Sequence, residues 1–159
     1  GEWRKVAATI GPDPIRDDAD PEVAWDKVRR SSRRISDLLL DQKVAAGVGN
    51  IYRAEVLFRH RIDPATLGKQ IFHSTWTAMW NDLVMLMRAG VEAGRIDTVR
   101  PEHTPEAMGR PPRVDRHGGE VYVYRRENRP CLVCHTPVRM VAQGGRHLFW
   151  CPRCQRRHH

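Results

Sequence analysis

Four cysteines carry the clearest chemistry in the sequence. They stand as two Cys-x-x-Cys pairs, Cys131 with Cys134 and Cys151 with Cys154, with sixteen residues between the pairs. Each pair forms a tight knuckle whose sulfurs point at one centre, and two knuckles supply the four thiolates of a closed tetrahedral zinc site. Thiolate iron of the rubredoxin kind uses similar spacing, and four cysteines can also make two disulfides. No stretch reads as a signal peptide, and the short intervening loop favours one structural Zn2+. Between the pairs, residues 137–141 and 147–150 read as strands, joined by a Gln143-Gly144-Gly145-Arg146 turn. The expected product is a zinc-pinned β-hairpin with Arg146 at or near its tip.

A second group with chemical potential is Gly47-Val48-Gly49-Asn50. Two glycines without side chains let an anion approach the backbone amides that open the following helix, and the Asn50 side chain can donate to the same anion. The same pattern also serves a plain corner between two helices, its glycines there only for backbone geometry.

These groups need elements to hold them. Asp20-Pro21-Glu22 is a helix start, with a capping Asp, Pro at the first helical position and an acid at the positive dipole end. Arg29, Arg30, Arg33 and Arg34 follow as a basic cluster, either a solvated face or a phosphate contact. Ser36 is placed to cap a second helix, with Ile35 and Leu40 as a hydrophobic staple; that helix runs through Val44 and stops at Gly47. Asn50 is placed to cap a third, from Ile51 to about His60, with Ile51, Ala54, Leu57 and Phe58 as its apolar stripe. A fourth, long helix runs from a Ser74 cap to about Ala93, its core residues Trp76, Met79, Trp80, Leu83, Met87 and Val91, and Gly94 ends it. Residues 97–120 are rich in Pro, Gly and charge and read as a linker or long mobile loop. Val121-Tyr122-Val123-Tyr124 reads as a strand leading into the zinc unit.

The whole chain of 159 residues has a formal net charge of +8 and a pI near 9.9. That charge favours a polyanionic partner. Only four of its 27 basic residues are lysine, and arginine binds phosphate bidentately, although an arginine-rich genome would produce the same bias. No apolar run approaches membrane-spanning length, so a soluble protein is expected.

The run from Leu40 to Phe58, centred on Gly47-Val48-Gly49-Asn50-Ile51-Tyr52-Arg53-Ala54-Glu55, resembles the helix–two-turn–helix signature of the formamidopyrimidine-DNA glycosylase/endonuclease VIII family. Arg129-Pro130-Cys131-Leu132-Val133-Cys134, followed by Arg146 to Gln155, resembles that family's C-terminal zinc finger. Both occur in the family's order, and the pair is highly specific. Asp13-Pro14 and the Trp-rich long helix are more similar to the endonuclease VIII branch of actinobacterial type.

The resemblance implies enzymes that flip an oxidised base, of pyrimidine type in this branch, out of duplex DNA. They attack C1′ with an N-terminal proline amine and cleave the strand by β,δ-elimination. Flipping costs unstacking energy, so the phosphates around the lesion must be clamped. By motif position, Asn50 would hold a phosphate beside the lesion, with Gly47 and Gly49 at the same turn. Arg146 would hold the same region and assist δ-elimination, and Lys43 would face the DNA or stay solvated. Cys131, Cys134, Cys151 and Cys154 would ligate zinc.

One departure bears on activity. Family members begin with Pro-Glu followed by a β-sandwich domain, whereas Gly1-Glu2-Trp3 open this chain and no strand pattern stands behind them. The chain is therefore expected to be the C-terminal, DNA-binding part of a glycosylase, a fragment that binds DNA without excising bases. Its own status as an enzyme is open. The expected organisation is an entry segment over 1–19, a helix–two-turn–helix domain over 20–96, the linker over 97–120, the zinc finger over 121–156 and a tail over 157–159. The fold class is mainly α, about four helices with an appended zinc-bound β-hairpin. Double-stranded DNA carrying an oxidised base or abasic site is the expected partner. The protein is expected to be a monomer in the bacterial cytoplasm, associated with the nucleoid. A stand-alone zinc-ribbon module for protein contacts and a non-catalytic damage sensor are the competing readings.

Overall fold

The computed structural model of the chain describes residues 10–114 and 119–156; Gly1, Glu2 and Trp3, and the tail over 157–159, lie outside them. Among the described residues there are five α-helices and one antiparallel hairpin: α1 (Pro21–Val28), α2 (Ile35–Leu40), α3 (Asn50–Arg59), α4 (His73–Ala93), α5 (Pro105–Met108), β1 (Arg139–Gln143) and β2 (Arg146–Trp150). The mainly α reading with an appended hairpin holds. The fifth helix is a single turn inside the segment expected to be a linker, where Pro101–His103 also form a 3-10 turn.

Of the four helices expected from the sequence, one starts where local rules predict and three do not. Asp20 accepts from the Glu22 amide and Pro21 opens α1, as the sequence pattern requires. Ser36 is not a cap. It lies inside α2 behind Arg34, fully buried, and its hydroxyl meets the Gln143 amide of the hairpin at 3.1 Å. With the cap gone, the Ile35–Leu40 staple has no role as such. Nor does α2 reach Val44: it ends at Leu40, and turns fill the interval to Gly49. Asn50 is the first residue of α3, behind Gly49 as N-cap. Likewise α4 starts at His73 behind Phe72 rather than at a Ser74 cap. In each case the apolar periodicity placed the helix, but the polar side chain at its end serves otherwise or not at all. At the other end of α4, Gly94 adopts the left-handed conformation (φ 72°) and stops the helix.

Two apolar clusters form the interior. The larger joins α1, α2, α3 and α4 around Ile35, Leu39, Leu57, Trp76 and Leu83. Val91, expected within this stripe, is instead 73% exposed. The second cluster contains Ala54 and Phe58 of α3, Tyr122 and Val123, Phe149 of β2, Cys131 and Cys151. Helix α3 thus faces both cores, which explains why Arg53 through Phe58 are all buried. Gln155 fastens the second cysteine knuckle to the helices: its Nε2 donates to the Ile62 carbonyl (3.0 Å) and its Oε1 accepts from the Cys151 amide (2.8 Å).

The expected strand over 121–124 does not form. The amides of Tyr122 (2.6 Å), Val123 (2.9 Å) and Tyr124 (3.0 Å) donate to the buried carboxylate of Glu55, which also accepts from the Thr98 hydroxyl. A carboxylate with four donors satisfies backbone groups that would otherwise need a neighbouring strand. Among the described residues no helix is long and apolar enough to cross a membrane.

Candidate metal centre and nucleic-acid interface

The hairpin delivers its functional groups by simple means. Gly144 (φ 58°) and Gly145 (φ 79°) form a two-residue turn with both φ positive, as the tight turns that match strand twist require. Gln143 pairs with Arg146 across that turn, so Arg146 stands at the tip, exposed, while Leu148 and Phe149 are buried at the base.

Behind the hairpin, the sulfurs of Cys131, Cys134, Cys151 and Cys154 all lie within 4.8 Å of one another. The Cys131–Cys154 and Cys134–Cys151 sulfurs are 3.8 Å and 3.4 Å apart, far beyond the ~2.05 Å of a disulfide. A tetrahedron with metal–sulfur bonds of about 2.3 Å has edges of about this length, so the four residues fit one zinc ion. Their protonation argues for a cation too. Burial pushes the Cys131 thiol up to about 11 and raises that of Cys154 further. Burial is the largest influence on Cys134 and would raise it, but hydrogen bonds with Thr136, Cys151 and Cys154 together outweigh it and bring that thiol down to about 6. Four thiolates in this space need a metal charge among them.

The Gly47–Asn50 turn meets the hairpin directly. Asn50 Nδ2 donates to the His147 carbonyl (2.9 Å), next to Arg146, and its Oδ1 accepts from the Arg53 guanidinium. An amide nitrogen carries two hydrogens, so Asn50 keeps one for an external acceptor. Helix α3 has no side-chain cap, which leaves its positive end to a ligand or water. The two glycines differ. Gly47 needs its residue type for the backbone (φ 83°), its amide donates to Gln42 Oε1 (2.9 Å), and a Cβ there would stand 3.2 Å from the Asp13 carboxylate. Gly49 has an ordinary φ of −89°, and a Cβ there would meet nothing within 4 Å. Backbone geometry explains Gly47; open approach is what Gly49 leaves. Lys43 is exposed, its amide donating to Asp41 Oδ1 (2.9 Å) and its carbonyl accepting from Lys27 Nζ.

Two charged residues of α3, Arg53 and Glu55, have uses that its apolar stripe does not reveal. Arg53 is fully buried, donates to Asn50 and to the Ser36 carbonyl (3.3 Å), and has an Nε without a partner among the described residues. Burial lowers its guanidinium to about 10, with Asp37 opposing and the nearby Arg146 charge adding to the fall. Glu55 is the carboxylate that receives residues 122–124. The available signal was the i, i+3 spacing from Asn50 to Arg53, which places both on one face of the helix. Conversely, the basic cluster near α2 is largely paired, four arginines sharing three aspartates. Arg29 and Arg30 pair with Asp26, Arg33 with Asp41 and Arg34 with Asp37.

Comparison with known proteins agrees with this geometry. Residues 10–101 match the model of the formamidopyrimidine-DNA glycosylase H2TH domain, and residues 129–157 match that of the zinc finger found in FPG and IleRS. The chain belongs to the formamidopyrimidine-DNA glycosylase/endonuclease VIII family. The zinc-finger match, with the four-sulfur geometry, decides between the metals left open by spacing: the site holds one structural zinc. Endonuclease 8 1 of Mycobacterium tuberculosis is 49% identical over 158 residues, 98% of this chain and 56% of that protein. Formamidopyrimidine-DNA glycosylase of Legionella pneumophila is 33% identical over 150 residues, 94% of this chain and 53% of that protein. A complex between the Lactococcus lactis Fpg and DNA containing an abasic site superposes with a TM-score of 0.74 at 26% identity, covering 98% of this chain and 55% of that one. The chain therefore spans about half the length of the curated relatives that it matches.

Proposed function

We propose that these 159 residues are the DNA-clamping part of a base-excision-repair glycosylase/AP lyase acting on oxidised bases, pyrimidines among them. The observation that carries the reading is the bond from Asn50 to the His147 carbonyl, which laces the uncapped start of α3 to the strand bearing Arg146. Helix amides, the remaining Asn50 donor and the Arg146 guanidinium thereby converge on one surface, a donor set suited to phosphates on either side of a flipped nucleotide. Gly49 leaves the backbone open to such a phosphate, and buried Arg53 adds positive potential beneath it. Gly47 contributes the turn, and Lys43 a flanking charge. Arg146 holds the phosphate at the lesion and assists δ-elimination, while base excision itself belongs to residues outside these 159. The partner is double-stranded DNA with an oxidised base or abasic site, bound by a monomer in the bacterial cytoplasm at the nucleoid. A stand-alone ribbon for protein contacts fits less well, because the hairpin shares a core with α3 instead of standing free.

Fluorescence anisotropy against a duplex with an abasic-site analogue, at two salt concentrations, tests the proposal. Binding should weaken steeply with salt, about 0.9 in log affinity per log salt for each phosphate neutralised. Asn50→Ala and Arg146→Ala should each cost roughly tenfold or more with helicity and zinc content unchanged. Salt-independent binding, or variants indistinguishable from the parent chain, would remove the proposal's basis.

A further inference from the structure

A strongly basic cavity lies outside the Asn50–Arg146 surface. It has a volume of ≈400 Å³ and is lined by Arg110, Arg113, Arg125, Arg126 and Arg129, with Glu120 the one acidic residue among the described lining residues. Guanidiniums gathered around one hollow repel each other, and this arrangement contrasts with Arg29, Arg30, Arg33 and Arg34, which pair with Asp26, Asp37 and Asp41. The lining residues fall into two groups. Arg110 pairs with Glu120 (2.7 Å), Arg113 donates to the Tyr124 carbonyl (3.1 Å), and Arg126 donates to the carbonyls of Tyr122 (2.6 Å) and Pro130 (2.9 Å). These three build the wall. Arg125 and Arg129 are exposed at its edge.

Arg125 occupies its place against a conformational preference. Its φ is 53°, in the left-handed region that disfavours a side-chain-bearing residue, and a glycine there would be relaxed. The guanidinium stands 5.5 Å from the centre of the Tyr124 ring, with Arg113 at 6.0 Å from the same ring. For Arg125 such a contact orients the guanidinium plane and turns its N–H edge toward a planar or tetrahedral oxyanion. An arginine at a glycine-favouring position, held on an aromatic ring beside a hollow of like charge, is the arrangement of an anion site.

We propose that this cavity is a second phosphate-binding subsite, taking a DNA backbone phosphate through Arg125 and Arg129. The assignment of the phosphate to DNA rests on the proposed function; the anion site itself rests on the cavity alone. It would extend the clamp beyond Asn50 and Arg146 without reading base sequence.

Two measurements on the full chain test it. In the first, inorganic pyrophosphate is titrated while the arginine Nε–H signals are followed by NMR. Saturable shifts are expected for Arg125 and Arg129 in the parent chain, and Arg125→Ala/Arg129→Ala should abolish the response. In the second, duplex binding is measured across a salt series. The double variant should bind about tenfold more weakly, and its salt slope should fall by about 0.9, the loss of one phosphate contact. Arg125→Gly separates recognition from folding: it should weaken DNA binding while leaving thermal stability unchanged or raised. A flat pyrophosphate titration overturns the anion site. A saturable titration alongside parental DNA affinity and slope in the double variant overturns the backbone assignment and leaves a site for free phosphate. A parent chain that binds pyrophosphate but no duplex overturns the proposed function, and the backbone assignment with it.

Discussion

Asp82 sits under opposing pressures. Burial alone would raise its carboxyl, but hydrogen bonds from His60 and Arg59, and the charge they bring, outweigh that and hold it far below the usual carboxylate range. Arg59 reaches it through both Nε (2.7 Å) and Nη2 (2.9 Å), and His60 Nε2 lies 2.9 Å away. The pair joins α3 to α4 with side chains only 6% and 9% exposed. Because the folded carboxyl is depressed relative to the unfolded one, its stabilisation is complete above about pH 4 and is lost as pH falls through the folded value. Asp82→Asn leaves the Arg59 charge buried without its counter-charge and should destabilise the fold by about 3 kcal/mol at neutral pH. Urea denaturation at pH 7 and pH 3 would check both points: the gap between parent and variant should shrink at the lower pH. An equal gap at the two values would count against the ion pair as its source.

The hairpin depends on zinc in a way that the helices do not. No residue of the cysteine knuckles contributes to the larger core, whereas Cys131 and Cys151 belong to the second. For small sites of this type, metal affinity is folding free energy, on the order of 10 kcal/mol or more. Chelation at neutral pH should therefore collapse the β1–β2 signals while α1, α2 and α4 persist. Far-UV circular dichroism together with hydrogen exchange would report this: most helicity should remain as the amides of residues 139–150 become unprotected. Cys151→Ser should reproduce the effect without a chelator. Loss of helical signal in step with the hairpin would show that the two cores do not melt separately.

What unites the molecule is α3, and Glu55 is its principal link to the chain beyond residue 97. Oε1 accepts from the Tyr122 amide and the Thr98 hydroxyl, and Oε2 from the amides of Val123 and Tyr124. Each oxygen therefore faces two donors, so a glutamine in either orientation would turn its NH2 group toward donors. Glu55→Gln should cost about 2 kcal/mol and deprotect the amides of residues 122–124 ahead of the helices. Unchanged exchange there would mean that Phe58 stacking on Tyr122, at 4.6 Å between ring centres, holds the segment instead.

The division between sequence and fold follows from the range of the forces involved. The cysteine knuckles, the Gly144-Gly145 turn, the Asp20-Pro21 start and the periodicity of α4 were legible in the amino-acid order, because each depends on backbone geometry within a few residues. The family and the zinc ligands could be anticipated from motifs. The uses of Ser36, Asn50 and Glu55 could not, because their partners lie 107, 97 and up to 69 residues away along the chain. A short polar side chain near a helix start bonds the backbone locally when nothing better arrives. Here the hairpin and the segment over 122–124 arrive, and buried polar groups must be satisfied by whatever packing brings to them. The backbone pattern could place the helices, but only packing could choose the partners of their polar side chains.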